Sequence, residues 1–159
     1  MTTQEAFERQ IEWFSRPGAK LGVTLNADGQ PQGGCAYRGG VMREMGEEFH
    51  SVGFAGSERR CVVGCLIPDE AYAEHPKEGS IGIIFHEIEM GEVEPELLSA
   101  WGLDGIDRGW LEKTQAIHDQ LATCNLKADL SNEDELVKHL VAVLKQAGEE
   151  WGLKVPQSA

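Results

Sequence analysis

Positive charge is what this chain has least of. Lys and Arg together number 14 against 27 Asp and Glu, which gives a formal net charge of −13 over 159 residues. Phosphate backbones and anionic lipid headgroups reward Lys and Arg, so direct binding to nucleic acid or to an anionic membrane surface is not expected. Cysteine is sparse as well. The four present, Cys35, Cys61, Cys65 and Cys124, are too few for a disulfide scaffold in a chain of this length and are expected as reduced thiols. Long hydrophobic runs are missing: no apolar stretch approaches the roughly 20 residues a membrane helix needs. The opening, Met1-Thr2-Thr3-Gln4-Glu5, has neither the basic nor the apolar region of a secretory leader. These absences lead us to expect a cytoplasmic protein.

What is present is enough apolar material, 41% of residues, to build an ordinary core. A single globular domain is expected over residues 1–155, with a frayed tail at 153–159. Residues 2–15 read as an amphipathic helix: Thr2 and Glu5 form a capping box, Phe7, Ile11 and Phe14 make one face, and Pro17-Gly18 stops it. Short strands are expected at Leu21–Leu25 and Gly34–Arg38. Residues 39–58 read as an insert or loop, with a short helix from Val41 to Glu48 and a loop or edge strand from Ser51 to Ser57. Arg60–Ile67, apolar on both alternating faces, reads as a central buried strand, and Gly64 within it marks a close approach to the backbone. Helices are expected over Ser80–Met90, Glu94–Trp101, Asp107–Leu121 and Asn132–Trp151. The last is capped by Ser131 and carries a stripe of Leu136, Leu140, Leu144, Ala147 and Trp151. The fold expected from this order is α+β, a small antiparallel sheet of two or three strands packed with four or five helices.

Few residues carry a chemical signature. Cys61 and Cys65 invite a metal site. Placed on a strand, however, they would stand about 13 Å apart at roughly 3.3 Å per residue, too far to share one zinc. Cys35 follows Gln32-Gly33-Gly34, and a Gln-Gly before a Cys resembles the approach to a thiol-protease nucleophile. Cys35 lacks the helix that would lower its pKa, and no single His stands out as its base among His50, His75, His86, His118 and His139. His86-Glu87 fails as a zinc-protease motif because Met90 stands where the second His belongs. His118-Asp119 is the dipeptide of metal-dependent phosphohydrolases, with His86 and Asp129 as the only nominees to complete a site. The spacing of His118 from Leu111 and Thr114 points instead to a hydrogen-bonded core histidine. Cys35, His118 and Asp119 are thus the weak catalytic candidates, and no cofactor or metal is implied.

The acids are unevenly spread. Between residues 69 and 112 lie Asp69, Glu70, Glu74, Glu78, Glu87, Glu89, Glu92, Glu94, Glu96, Asp104, Asp107 and Glu112, opposed only by Lys77 and Arg108. So much charge of one sign makes a directed negative potential whose natural complement is a basic protein surface. Glu74, Glu78, Glu87, Glu89, Glu92, Glu94 and Glu96 are the candidate partner-binding residues. Arg38, Arg59 and Arg60 form the compact basic group and are the candidate ligand-binding residues.

Three stretches carry a resemblance: Cys35-Ala-Tyr-Arg-Gly39; Cys61-Val-Val-Gly-Cys-Leu-Ile-Pro-Asp-Glu70 with Tyr72 and Glu78-Gly79; and Gln115-Ala-Ile-His-Asp119. Together they resemble a family of small uncharacterised phage and bacterial proteins, over about residues 5–122. The resemblance implies a compact α+β core and no known activity; the 39–58 insert is a departure from it. Tyr37 and Arg38 are expected to brace Asp69 or Glu70. The function expected is that of a non-enzymatic acidic binding protein, a phage or prophage accessory factor that modulates a host protein in the anti-defence or nucleic-acid-mimic manner. The alternatives are a small Cys- or metal-dependent hydrolase or transferase, and a nucleotide or small-ligand binder.

Overall fold

In the computed structural model, the described residues are all except 27, 38, 39, 46, 47, 54–57, 78, 158 and 159; for 32–35, 40–45 and 48–53 only the backbone is described. The chain is mostly helical. Among the described residues the α-helices are α1 (Thr3–Phe14), α2 (Asp69–Glu74), α3 (Ile81–Glu89), α4 (Glu96–Ala100), α5 (Arg108–Gln120) and α6 (Glu133–Glu150). A 3-10 turn lies at Gly64–Leu66, and a π turn extends α5 over Leu121–Asn125.

Local chemistry accounts for several of these boundaries. Thr2 Oγ1 accepts from the Glu5 amide while the Glu5 carboxylate accepts from the Thr2 amide, both at 3.1 Å, which closes the capping box of α1. Ser80 caps α3 by accepting from the Ile83 amide, and Asp107 caps α5 by accepting from the Gly109 amide. Gly152, at φ 72°, turns the chain out of α6. The expected Ser131 cap of α6 is not formed. Asn132 holds the N-cap position, and its Oδ1 accepts from the Lys127 amide instead, while Ser131 donates its amide to Asp129.

The core is a stack of helices. α1 lies on α6, and α5 packs against α6 and α3. Phe7 of α1 meets Trp110 of α5 edge-on at 5.4 Å, and Trp110 meets Trp151 at 5.5 Å. Gly148 of α6 lies directly against the Phe7 ring, leaving no room for a Cβ. The buried face of α6 is Glu133, Val137, Leu140, Leu144, Ala147 and Gly148; it keeps Leu140, Leu144 and Ala147 of the expected stripe, while Leu136 is half-buried and Trp151 is 39% exposed. Gln10, buried inside this stack, is fully engaged. Its Nε2 donates to the Val62 carbonyl at 2.9 Å and to Thr114 Oγ1 at 3.2 Å, and its Oε1 accepts from Trp110 Nε1 at 3.0 Å.

The α+β expectation does not hold, and one segment explains why. Arg60–Ile67 is not a central strand. The Cys65 amide donates to the Cys61 carbonyl and the Leu66 amide to the Val63 carbonyl, so the run coils into a turn under α1. A short apolar run on both faces reads alike for a buried strand and a buried turn. With the expected central strand gone, the described helices bury their faces on one another and on the Cys61–Ile67 turn. Extended backbone occurs elsewhere, at β1 (Val23–Leu25), β2 (Pro31–Cys35), β3 (Gly40–Met45) and β4 (Glu48–Gly53), laddered in the order β2-β1-β3-β4. β2 runs antiparallel to β1 and β4 antiparallel to β3, but β1 and β3 are parallel, meeting at Leu25 and Val41. Among the described side chains of these strands, the buried ones are Val23 and Thr24 of β1. The helix expected over 41–48 is therefore the extended backbone of β3 and the start of β4, and the strand expected at 34–38 begins and ends earlier, at Pro31–Cys35.

Gly64 does mark a close approach, though not on a strand. A Cβ there would fall inside the Tyr37 carbonyl. Tyr37 itself is buried edge-on against Trp101 at 5.4 Å. The expected brace to Asp69 is made by Arg60, at 2.8 Å; Arg38 lies outside the described residues.

Candidate partner-binding face

His118 sits on α5 with no exposed surface. Its Nε2 accepts from the Gly22 amide at 3.0 Å and its Nδ1 lies 3.3 Å from the Asp119 carboxylate. An imidazole that accepts at Nε2 carries its proton at Nδ1, aimed at Asp119. One nitrogen ties Gly22, just before β1, to α5, and the other is engaged by its neighbour on the same helix. His86 is exposed on α3, and Asp129 accepts from Ser131 in the loop before α6, which holds its carboxyl below the usual range. Among the described residues no three His, Cys, Asp or Glu side chains stand where one metal ion would need them.

Cys61 and Cys65 lie closer together than strand geometry gave, because the turn brings them to helical spacing. Each thiol is spent locally: Cys61 Sγ accepts from the Gly64 amide at 3.2 Å, and Cys65 Sγ donates to the Val62 carbonyl at 3.4 Å. Both are buried, as small apolar side chains are, and Cys124 is exposed on the π turn. The side chain of Cys35 lies outside the described residues.

The expected arginine group divides. Arg59 is drawn inward to Glu133, a carboxylate only 2% exposed at the start of α6, through two hydrogen bonds of 2.8 and 3.1 Å. Arg60 turns the other way, pairing with Asp69 and lying over the Trp13 ring at 4.4 Å, where Arg16 also stacks at 3.4 Å. Arg16 was not part of the expected group. Its spacing of three from Trp13 on the last turn of α1 is the signal that joins it to the ring.

The acids divide in the same way. Glu87 pairs with Lys77 at 2.8 Å. Glu89 and Glu112 both take Arg108, which also lies over the Phe85 ring at 4.5 Å and so fastens α3 to α5. The Arg108 hydrogen bond holds the Glu89 carboxyl below the usual glutamate range, and Glu89 in turn pushes the guanidinium up. Glu87, Glu89 and Glu112 serve the fold. Glu74, Glu92, Glu94 and Glu96 are exposed, and Glu78 lies outside the described residues. Both cations of the 69–112 segment are thereby spent on Glu87, Glu89 and Glu112, and no salt bridge among the described residues engages Glu92, Glu94 or Glu96.

A groove of about 560 Å³ opens beside these free carboxylates, between the end of α2 and α4. It is lined by His75, Pro76 and Lys77 on one side and by Val93, Glu94, Glu96, Leu97 and Ala100 on the other. The apolar lining follows a spacing of four and three residues, Val93, Leu97, Ala100, within an acid-rich stretch. That stripe is visible in the sequence but indicates a groove only once the opposite wall is known.

Comparison with protein-family models, curated proteins and solved structures returns no match for this chain. No helix among the described residues is long and apolar enough to cross a membrane.

Proposed function

We propose that this chain is a non-enzymatic binding protein that meets a basic protein surface through its acidic face. In this reading it is a phage or prophage accessory factor that modulates a host protein in the anti-defence or nucleic-acid-mimic manner. The observation that carries the reading is the division of the acids: the segment's own cations are absorbed by Glu87, Glu89 and Glu112, which leaves Glu92, Glu94 and Glu96 turned to solvent. Charge of one sign, unopposed and clustered, steers an oppositely charged partner and fixes its register. The engagement of both His118 nitrogens in the core supports the non-enzymatic side of the reading.

The test is a charge reversal that spares the structural pairs: Glu74→Lys, Glu92→Lys, Glu94→Lys and Glu96→Lys together, with Glu87 and Glu89 left alone. Affinity purification from host lysate should yield a partner with the unmodified chain, lose it with the variant, and lose it progressively as salt rises through about 0.5 M. A partner retained by the variant at unchanged salt dependence would overturn the reading.

A further inference from the structure

The groove beside the acids is built rather than incidental. Its two walls are joined by Trp101, whose Nε1 donates to the His75 carbonyl at 3.0 Å while the indole is fully buried against Tyr37 and Tyr72. α4 and the end of α2 are therefore held at a fixed separation, and the opening between them, about 560 Å³, falls within the roughly 300–1,000 Å³ of preformed binding clefts. Val93, Leu97 and Ala100 give it an apolar floor, and Glu94 and Glu96 stand on its rim. Lys77, on the far wall, is neutralised by Glu87 and does not offset the rim.

Two features select the occupant. An apolar floor gains nothing from a hydrated cation alone; it asks for a side chain it can desolvate. A carboxylate rim repels phosphate and anionic lipid and favours Lys or Arg beside that side chain. We infer that the groove is the anchor site for a segment of a partner protein that carries an apolar side chain flanked by Lys or Arg. This rests on the acidic-face reading and names the chemistry of its partner. It follows the usual anatomy of an interface, a desolvated apolar centre within a polar rim that excludes water.

A fluorescein-labelled peptide with a central pair of leucines flanked by lysines is the probe, followed by anisotropy against the full chain. It should bind with a Kd on the order of 10 μM at low salt. Replacing its leucines by serine, or filling the groove by Ala100→Trp, should each weaken binding at least about tenfold. Circular dichroism establishes that the variant is folded, and Ala100→Gln repeats the test if Ala100→Trp is not. Glu94→Gln with Glu96→Gln should weaken binding and flatten its salt dependence. Absence of binding up to about 1 mM overturns the inference. Equal binding of the leucine and serine peptides, or indifference to Ala100→Trp, also overturns it, while a persisting salt dependence would leave the acidic face standing. Leucine-dependent binding that ignores both salt and the glutamine pair overturns the acidic-face reading instead, and with it the basic flank assigned to the partner.

Discussion

Glu133 shows what a single buried charge does here. Its carboxylate is 2% exposed and accepts from both Arg59 nitrogens, accepts from the Leu21 amide at 3.2 Å, and lies 3.7 Å from Lys20 Nζ. One residue thus ties the start of α6 to the approach to β1 and to the segment before the 3-10 turn. A buried pair of this kind adds little over an apolar substitute, but removing one partner strands the other. Glu133→Ala should therefore cost about 3–5 kcal/mol in urea unfolding. Glu133→Gln, which keeps the shape and one acceptor, should cost less. A loss for Glu133→Ala below about 1 kcal/mol would mean that Arg59 finds other satisfaction. This acid was legible only as helix-start material, the first residue after an Asn. Its partner lies 74 positions earlier, and nothing in local spacing announces a pair at that distance.

At the scale of elements, α1 was the most legible because its whole specification is local: a capping box, a stripe and a Pro-Gly stop within Thr2–Gly18. Thr2→Ala should lower stability by about 1 kcal/mol at neutral pH, a fall of a few degrees in Tm. The pH dependence has a definite sign. The Thr2 backbone amide holds the Glu5 carboxyl below the usual glutamate range in the folded chain. A folded-state value below the unfolded one contributes stability that is present above the unfolded value and lost as pH falls through the folded one. Glu5→Ala removes that carboxylate, and the gap between it and the unmodified chain in thermal unfolding should thus be full at neutral pH and narrow in acid. A gap that widens in acid would contradict this assignment of the cap. Arg60–Ile67 and Val41–Glu48 were misread for the opposite reason. Whether the first coils depends on how closely Tyr37 approaches Gly64, and whether the second extends depends on pairing with β1 and β4. The Gly64 approach and the β1 pairing come from residues well separated in sequence, of which local periodicity carries no trace, while β3 and β4 are adjacent strands whose pairing a helical reading of the segment passes over.

Over the whole molecule, the charge is both the clearest sequence signal and the one whose meaning the structure redistributes. The excess between residues 69 and 112 was legible by counting, yet counting does not separate acids that brace helices from acids that face water. That division depends on where Arg108 and Lys77 reach. The groove was less legible still, since its second wall comes from His75–Lys77 and is fixed by a tryptophan hydrogen bond. A chain of net charge −13 also repels itself, and the exposed ion pairs are too weak to offset that. Screening should then act mainly on the repulsion. At pH 7, raising NaCl from about 20 mM to about 0.5 M shortens the Debye length from roughly 20 Å to under 5 Å, and should raise Tm by several degrees. The charge-reversed variant at Glu74, Glu92, Glu94 and Glu96 moves net charge from −13 to −5, since each Glu→Lys adds two, and should show a smaller rise. Calorimetry of both proteins across the salt series separates the cases. A Tm that falls with salt in the unmodified chain would mean that the pairs at Arg108, Lys77 and Arg59 outweigh the repulsion, and that the surface acids are held in check by the fold.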